Sequence, residues 1–288
     1  MKHIYITGAG GLISSGIARS LKRMDKPVHI TGNSPDGGSI PYFDRVIANR
    51  FGEPLAIPGN KFDLIIHCAF DKDDKSNDLN TSGTLKWAED AGNAGIKKQL
   101  FLSSISSQSA YLSPYGKSKK ILEDWFLERG HIVFRLGLVI ANGGMFGRLL
   151  GSILNSPVVP LIGGGRFLVF PTDPETIYDL VYRISEGKVN GAPDGAWNLQ
   201  YKAGISLKGI LSLICSRTGR RPVFIPVPYT LVFAGLKLIE MIRLPGIDIH
   251  TGNLKGLKWN SRISLQSHLE ALGYEERALH GVIKEIVL

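Results

Sequence analysis

Short apolar runs alternate with longer segments of helical spacing through the first half of the chain. Residues 2–7, 27–32, 44–48, 62–69, 98–103 and 131–136 are apolar runs, several rich in β-branched and aromatic residues, and each predicts a strand. Between them, 11–24, 78–95 and 115–130 carry apolar residues at helical spacing. Strands that are apolar throughout are buried on both faces, so the alternation predicts a parallel sheet with helices on either side. The expected fold is α/β, a Rossmann-like doubly wound sheet, whose ligand crevice lies beyond the carboxyl ends of its strands.

The rhythm changes near residue 140. The segment "ANGGMFGRLLGSILN" begins with glycines, and "PVVPLIGGGRFLVFP" predicts two short strands around a glycine turn. Helical spacing returns near 174–186, 206–218, 228–242, 264–272 and 277–286. The expected organisation is a core over 1–140, to which 167–200 returns, and a smaller substrate-side region formed by 141–166 and 201–288.

Composition narrows the class. With 288 residues, 43% hydrophobic and 20% charged, the chain is globular and long enough for a sizeable core. The opening "MKHIYIT" leads into an apolar run too short for a signal peptide, and Cys68 and Cys215 lie far apart in apolar surroundings. Reduced thiols in a cytoplasmic protein are the expectation. A net charge of +9 favours anionic partners. The basic residues are dispersed, with no aromatic-interleaved stripe, so nucleic acid is not expected. A phosphorylated small molecule and an anionic membrane surface both fit. The histidines show no ligand-like clustering, and no metal is expected.

Chemistry enters at the first strand–helix junction. Thr7-Gly8-Ala9-Gly10-Gly11-Leu12-Ile13-Ser14 joins the first strand to the first helix, where backbone N–H groups can approach a pyrophosphate. This loop resembles the TGxxGxxG loop of short-chain dehydrogenase/reductases, in particular the extended branch of nucleotide-sugar epimerases, dehydratases and reductases, with Ser14 in place of the last glycine. Further segments are similar in the same order. They are "DLIIHCAF" (63–70), a helix with Asn80, Gly83 and Thr84, "QLFLSSISS" (99–107), "FRLGLVI" (134–140) and "FLVFPTDPETIYDLV" with Asp173. The resemblance covers roughly residues 1–200. It implies a dinucleotide-binding core with cofactor contacts from Gly8, Gly10, Gly11, Leu12, Ile13, Cys68, Ala69, Asn80, Lys119 and Leu138.

A tyrosine and a lysine four residues apart occur by chance in many helices. Here Tyr115 and Lys119 match the family's YxxxK pair, and Ser104 ends the preceding strand. Moving hydride to or from a carbinol carbon requires a proton to leave or reach the same oxygen. A phenol titrating near ~10 is a poor base at neutral pH. A neighbouring ammonium, with the positive ring of the oxidised cofactor, is expected to lower that value. Reaching about 7 takes roughly 4 kcal/mol of differential electrostatics. Ser104 would donate to the substrate oxygen. Only eleven positions separate Ser104 from Tyr115, which is shorter than the insertion the family usually carries there.

Cofactor preference is read after the second strand, in "PVHITGNSPDGG". An NAD site presents an acid there, whereas this chain has Gly32, Asn33 and Ser34, with Asp36 late. NADP is therefore favoured slightly over NAD, with Asn33 or Ser34 as donors to a 2′-phosphate. Asn49 stands where the family commonly has an aspartate near the adenine. Arg166, Arg217, Arg220 and Arg221 are candidates for a substrate diphosphate, Arg166 and Arg220 foremost.

The resemblance implies an NAD(P)-dependent oxidoreductase or epimerase acting at a carbinol or keto carbon, C4 of a nucleotide sugar being the expectation. Reductase and epimerase remain open. The alternative is a non-catalytic, cofactor-binding assembly or membrane-associated module of the same fold. The apolar helical pattern 227–245 fits a core helix, a face between two copies, or a shallow membrane contact aided by Lys237 and Arg243. A homodimer is expected from the resemblance alone.

Overall fold

The computed structural model describes residues 1–24, 27–59, 61–192, 195–242 and 251–287. All six strands expected before residue 140 form: β1 (Lys2–Ile6), β2 (Val28–Ser34), β3 (Arg45–Ala48), β4 (Leu64–His67), β5 (Gln99–Ser104) and β6 (Ile132–Leu136). The helices among them are α1 (Leu12–Lys22), α2 (Asp78–Asn93) and α3 (Pro114–Glu128). Next come β7 (Leu138–Val139), α4 (Gly144–Asn155), β8 (Val158–Ile162), β9 (Leu168–Val169), β10 (Pro171–Thr172), α5 (Pro174–Ser185) and β11 (Trp197–Asn198). The chain ends with β12 (Ile205–Ser206), α6 (Leu207–Thr218), β13 (Val223–Val227), α7 (Tyr229–Ile242), α8 (Thr251–Asn260) and α9 (Leu279–Val287).

The main sheet has seven strands in the order β11-β6-β5-β4-β1-β2-β3, every pairing parallel. From β1 the chain winds outward to β3, then restarts at β4 and winds the other way. Crossovers in the two halves therefore leave a crevice between the carboxyl ends of β1 and β4. Alternation along β1 sends Ile4 and Ile6 to one face, packed with Ile17 and Leu21 of α1 and Ile177 and Val181 of α5. Tyr5 faces the other way, onto Trp87 and Ala91 of α2. α3 covers the neighbouring part of that face through Leu122 and Phe126, against Phe101 and Val133.

A second core gathers Phe146, Leu150 and Ile153 of α4, Val159 and Leu161 of β8, Ile210 and Ile214 of α6, and Val282 and Ile283 of α9. The segment 167–200 contributes to both regions. β10 pairs with β7, α5 packs on α1, and β11 completes the main sheet.

Three local outcomes differ from the sequence pattern. The strands flanking the glycine turn do not pair with each other: β8 pairs with β13 and β9 with β12. α4 forms despite Gly144, Gly147 and Gly151, because its buried stripe falls at helical spacing. The helix expected over 264–272 shrinks to a single 3-10 turn, Glu270–Leu272. Its first part is drawn against β11 instead, where Asn198 Nδ2 donates to Gln266 O at 3.0 Å and Gln200 Nε2 to Leu265 O at 3.2 Å.

Candidate active site

The glycine loop is shaped by contacts a side chain would destroy. Gly8 has φ +70°, and a Cβ there would stand 2.7 Å from Ala69 Cα. Its N–H donates to Asn33 Oδ1 at 2.9 Å. Thr7 Oγ1 accepts from the N–H groups of Cys68 and Ala69, both at 3.0 Å, which ties the end of β1 to the end of β4. Gly11 caps α1 with no side-chain hydrogen bond, and no acid lies in the first turn. Gly10, Gly11 and Leu12 are exposed. Uncapped N–H groups, the positive end of the helix and an open backbone suit a pyrophosphate.

Ser14 takes a role of its own. Its hydroxyl lies 2.5 Å from Gly8 O and 2.9 Å from Gly11 O, stitching the loop to the helix. Close packing of α1 falls instead to Gly16, where a Cβ would stand 2.0 Å from Tyr178 Oη of α5.

The catalytic candidates meet at the carboxyl end of β5. Ser104 is its last residue, and its Oγ accepts the Ser106 N–H at 3.2 Å. Ser113 caps α3 by accepting the Gly116 N–H at 3.1 Å, and Pro114 occupies the first turn. That start sets Tyr115 close to Ser104, whose hydroxyl acts on the phenol. Burial raises the Tyr115 pKa above the ordinary phenol value, and the Ser104 hydrogen bond opposes it. The expected lowering by Lys119 is therefore not the dominant effect of the protein itself. Lys119 Nζ donates to Leu102 O at 2.8 Å and stands 5.8 Å from the Tyr115 ring. Burial brings its own pKa down to about 8. The same burial pushes the Cys68 thiol up to about 12.

Glu123, which the motif reading passed over, supports the turn that carries Ser104. It continues the stripe Tyr115, Lys119, Glu123 at four-residue steps along α3, which is the signal that could have found it. Its buried carboxylate accepts Ser103 Oγ–H at 2.9 Å, Ser107 Oγ–H at 2.8 Å and Gln108 Nε2–H at 2.8 Å. Phe70, 42% exposed, meets the Tyr115 ring edge-to-face at 5.7 Å.

Neither a protein-family model nor a curated protein sequence matches the chain. Solved structures do. The crystal structure of gox2253 superposes with a TM-score of 0.74 at 14% identity, over 100% of this chain and 97% of that one. The UDP-glucose 4-epimerase of Thermotoga maritima, solved with UDP-glucose, gives 0.69 at 15% identity over 99% and 97%. MoeE5 in complex with UDP-glucose and NAD gives 0.65 at 19% identity over 78% and 85%. The fold is shared with nucleotide-sugar epimerases.

Other expected contacts lie differently. The amide of Asn33, 1% exposed, is engaged inward: its Oδ1 accepts the Gly8 N–H and its Nδ2 donates to Asn49 Oδ1 at 3.3 Å. Asn49 in turn accepts the Ala56 N–H at 3.1 Å and donates to Pro54 O at 3.0 Å. Both asparagines brace the crevice, which corrects the expectation of Asn33 as a 2′-phosphate donor. Ser34 Oγ donates to Gly37 O at 3.1 Å. Arg50 stands beside this tip, 2.8 Å from Asp36. At Gly32, a Cβ would stand 2.7 Å from the Phe43 ring, so an acid does not fit. Asn80 is buried and holds the loop that precedes α2, accepting the Asp71 N–H at 2.7 Å. Gly83 admits Phe51, and Leu138 packs into the second core.

On the substrate side, Tyr111, Tyr229, Phe233, Lys255, Lys258 and Trp259 line an open cavity of about 310 Å³. Tyr111 precedes Tyr115 by four residues, and α8 leans on the same turn. Asn260 Nδ2 donates to Ser106 Oγ at 2.8 Å, which lies 3.3 Å from Ser104 Oγ. α8 was not expected, since its glycines and lysines break the apolar spacing. α8 packs on the start of α3: a Cβ on Gly252 would be in ordinary contact with Pro114 Cδ, at 3.6 Å.

Arg166 follows β8, at the end of the β8–β13 ribbon that leads into Tyr229, and its neighbour Phe167 meets the Tyr229 ring at 6.0 Å. Arg220 and Arg221 stand at the opposite end of β13, roughly 16 Å of strand away. The structure does not bring Arg220 to the cavity, and Lys255 and Lys258 stand there instead. α7 turns Tyr229 and Phe233 into the cavity and buries Leu236, while Leu231 stays exposed. Arg243 lies outside the described residues.

Proposed function

We propose that the protein is an NAD(P)-dependent oxidoreductase or epimerase acting on a carbinol or keto carbon of a nucleotide-linked sugar, C4 being the position the resemblance favours. The observation that carries the reading is the convergence of Ser104, Tyr115 and Lys119 at the end of β5, within a doubly wound sheet whose first turn is an open glycine cradle. The residues present fit a dinucleotide. Gly8 and Gly11 allow close backbone approach, the first turn of α1 offers N–H donors, and Lys119 would meet the ribose hydroxyls. When bound, the nicotinamide supplies or accepts the hydride.

The chain's own residues move the proton. Ser104 Oγ–H donates to the substrate oxygen and steadies charge that develops on it. Tyr115 Oη takes the proton from the carbinol oxygen, or returns it to the keto oxygen. Burial holds the phenol protonated at neutral pH, which suits the donating direction, and the positive charge brought by the oxidised cofactor would favour the accepting one. Phe70 closes over Tyr115 and limits water. The substrate's base would stack among Tyr111, Tyr229 and Trp259, with Lys255 and Lys258 toward its phosphates.

The absence of an acid at Gly32 and the guanidinium of Arg50 support NADP over NAD. Tyr115→Phe tests the assignment. Turnover with nucleotide 4-keto sugars or nucleotide sugars should drop at least ~100-fold, in line with the loss of a general acid–base group, while cofactor affinity stays near the original. Retention of most activity would sink it.

A further inference from the structure

The two-stranded ribbon of β8 and β13 has one face in the second core and the other bare. Val159 and Leu161 are buried, and Phe224 packs with them. The outward residues fall in register, Val158 beside Val223 and Pro160 beside Ile225. Val158, Val223 and Ile225 are 41%, 62% and 46% exposed, and Pro160 is exposed as well. The ribbon runs on through Val227 into α7, where Leu231 is 65% exposed. A contiguous apolar face open to water marks a contact surface.

The chain that leads into β13 is basic. Residues 195–239 carry Lys202, Lys208, Arg217, Arg220, Arg221 and Lys237 and no aspartate or glutamate. Residues 129–172, which carry β8, likewise include Arg129, Arg135, Arg148 and Arg166 and no acid. Arg217, Arg220 and Arg221 are exposed and immediately precede Val223.

We propose that the ribbon face docks on an anionic membrane surface. Val158, Val223, Ile225 and Leu231 enter the boundary between headgroups and acyl chains, and Arg217, Arg220 and Arg221 meet lipid phosphates. Guanidinium forks match phosphate oxygens, and apolar residues beside cations are the composition that interfacial binding requires. The arginines at the start of β13 complement an anionic bilayer. Among the described residues no helix is long and apolar enough to cross a membrane, so the contact is peripheral. The proposal stands apart from the proposed activity, because its test needs no turnover.

The full chain is sedimented with vesicles of phosphatidylcholine alone and of phosphatidylcholine with phosphatidylglycerol, at low and high salt. The expected result is capture by the phosphatidylglycerol vesicles that falls as salt rises. Val223→Asp with Ile225→Asp, on exposed positions that keep the melting temperature, should abolish it. Changing Arg217, Arg220 and Arg221 together to Gln should lower partitioning on the order of 100-fold. Equal binding to both vesicles, no binding, or binding that neither variant changes overturns the proposal. A concentration-dependent dimer broken by the aspartates, without vesicle capture, would assign the face to a second copy and overturn it too.

Discussion

The carboxylate of Glu123 lies 2.5 Å from the guanidinium of Arg135, directly beneath the strand end that carries Ser104. The side chain of Glu123 is 1% exposed and that of Arg135 is 13%. Because Glu123 also accepts the hydroxyls of Ser103 and Ser107, one side chain of the Tyr115 helix holds both flanks of the Ser104 turn. Removing one partner of a buried pair leaves the other charge uncompensated, which typically costs about 3–5 kcal/mol. Replacing both by apolar residues of similar size is often close to neutral. Glu123→Met should therefore destabilise more than Glu123→Met with Arg135→Met. Chemical denaturation of the two variants checks this, and a double variant no more stable than the single would contradict it. Both should lose turnover, since both release the Ser104 turn.

Gly16 gives a purely steric prediction. Gly16→Ala places a methyl on the Tyr178 hydroxyl, at the crossing of α1 and α5. Overpacking of this kind costs about 1–3 kcal/mol. Gly16→Ala with Tyr178→Phe relieves only the hydroxyl and should recover part of the loss. Thermal melts of the two variants measure it. An unchanged melting temperature for Gly16→Ala would mean that α1 and α5 separate freely.

The proposed preference for NADP rests on Arg50. Charge-assisted hydrogen bonds are worth about 1.5–3 kcal/mol, so Arg50→Ala should weaken NADPH binding roughly tenfold to a hundredfold. NADH affinity should barely move. Fluorescence titration with both nucleotides reads the difference. Equal loss for both, or none for either, would remove Arg50 from the cofactor contact. Gly32→Asp, the acid of an NAD site, should not confer NADH preference while Phe43 fills that space.

The sheet was legible because its strands are buried on both faces: Leu64-Ile65-Ile66 or Leu100-Phe101-Leu102 cannot sit at a surface, and the helices between them supply the crossovers. Ser104, Tyr115 and Lys119 were legible through the resemblance to the short-chain dehydrogenase/reductase motifs, since their spacing alone is common in helices, and the structure brings them together. What escaped depends on tertiary neighbours. α8 is a helix because Leu254 finds a buried place and its glycines fit against Ser113 and Pro114, none of which local spacing encodes. The inward turn of Asn33 depends on Asn49, sixteen residues away. Lysines rather than arginines line the substrate-side cavity because β13 carries Arg220 to its far end.

Lys119 links the site to stability through pH. Its ordinary value of 10.5 falls to about 8 in the fold, because burial disfavours the charged form. Below about 8 both folded and unfolded chains hold the proton, and the fold carries the full burden of the buried ammonium. Between about 8 and 10.5 the folded chain releases the proton while the unfolded chain keeps it, so this contribution to stability rises with pH. Lys119→Met removes the titration and packs against the Phe101 ring, which Nζ now faces at 4.7 Å. The variant should gain melting temperature relative to the original protein at pH 6.5, and that relative gain should shrink by pH 9.5. The lost hydrogen bond to Leu102 O shifts both measurements alike, so the change with pH isolates the charge. Activity should run the other way, since the ammonium beside Tyr115 fades above about pH 8. A stability difference that stays constant from pH 6.5 to 9.5 would show that Lys119 titrates at its ordinary value.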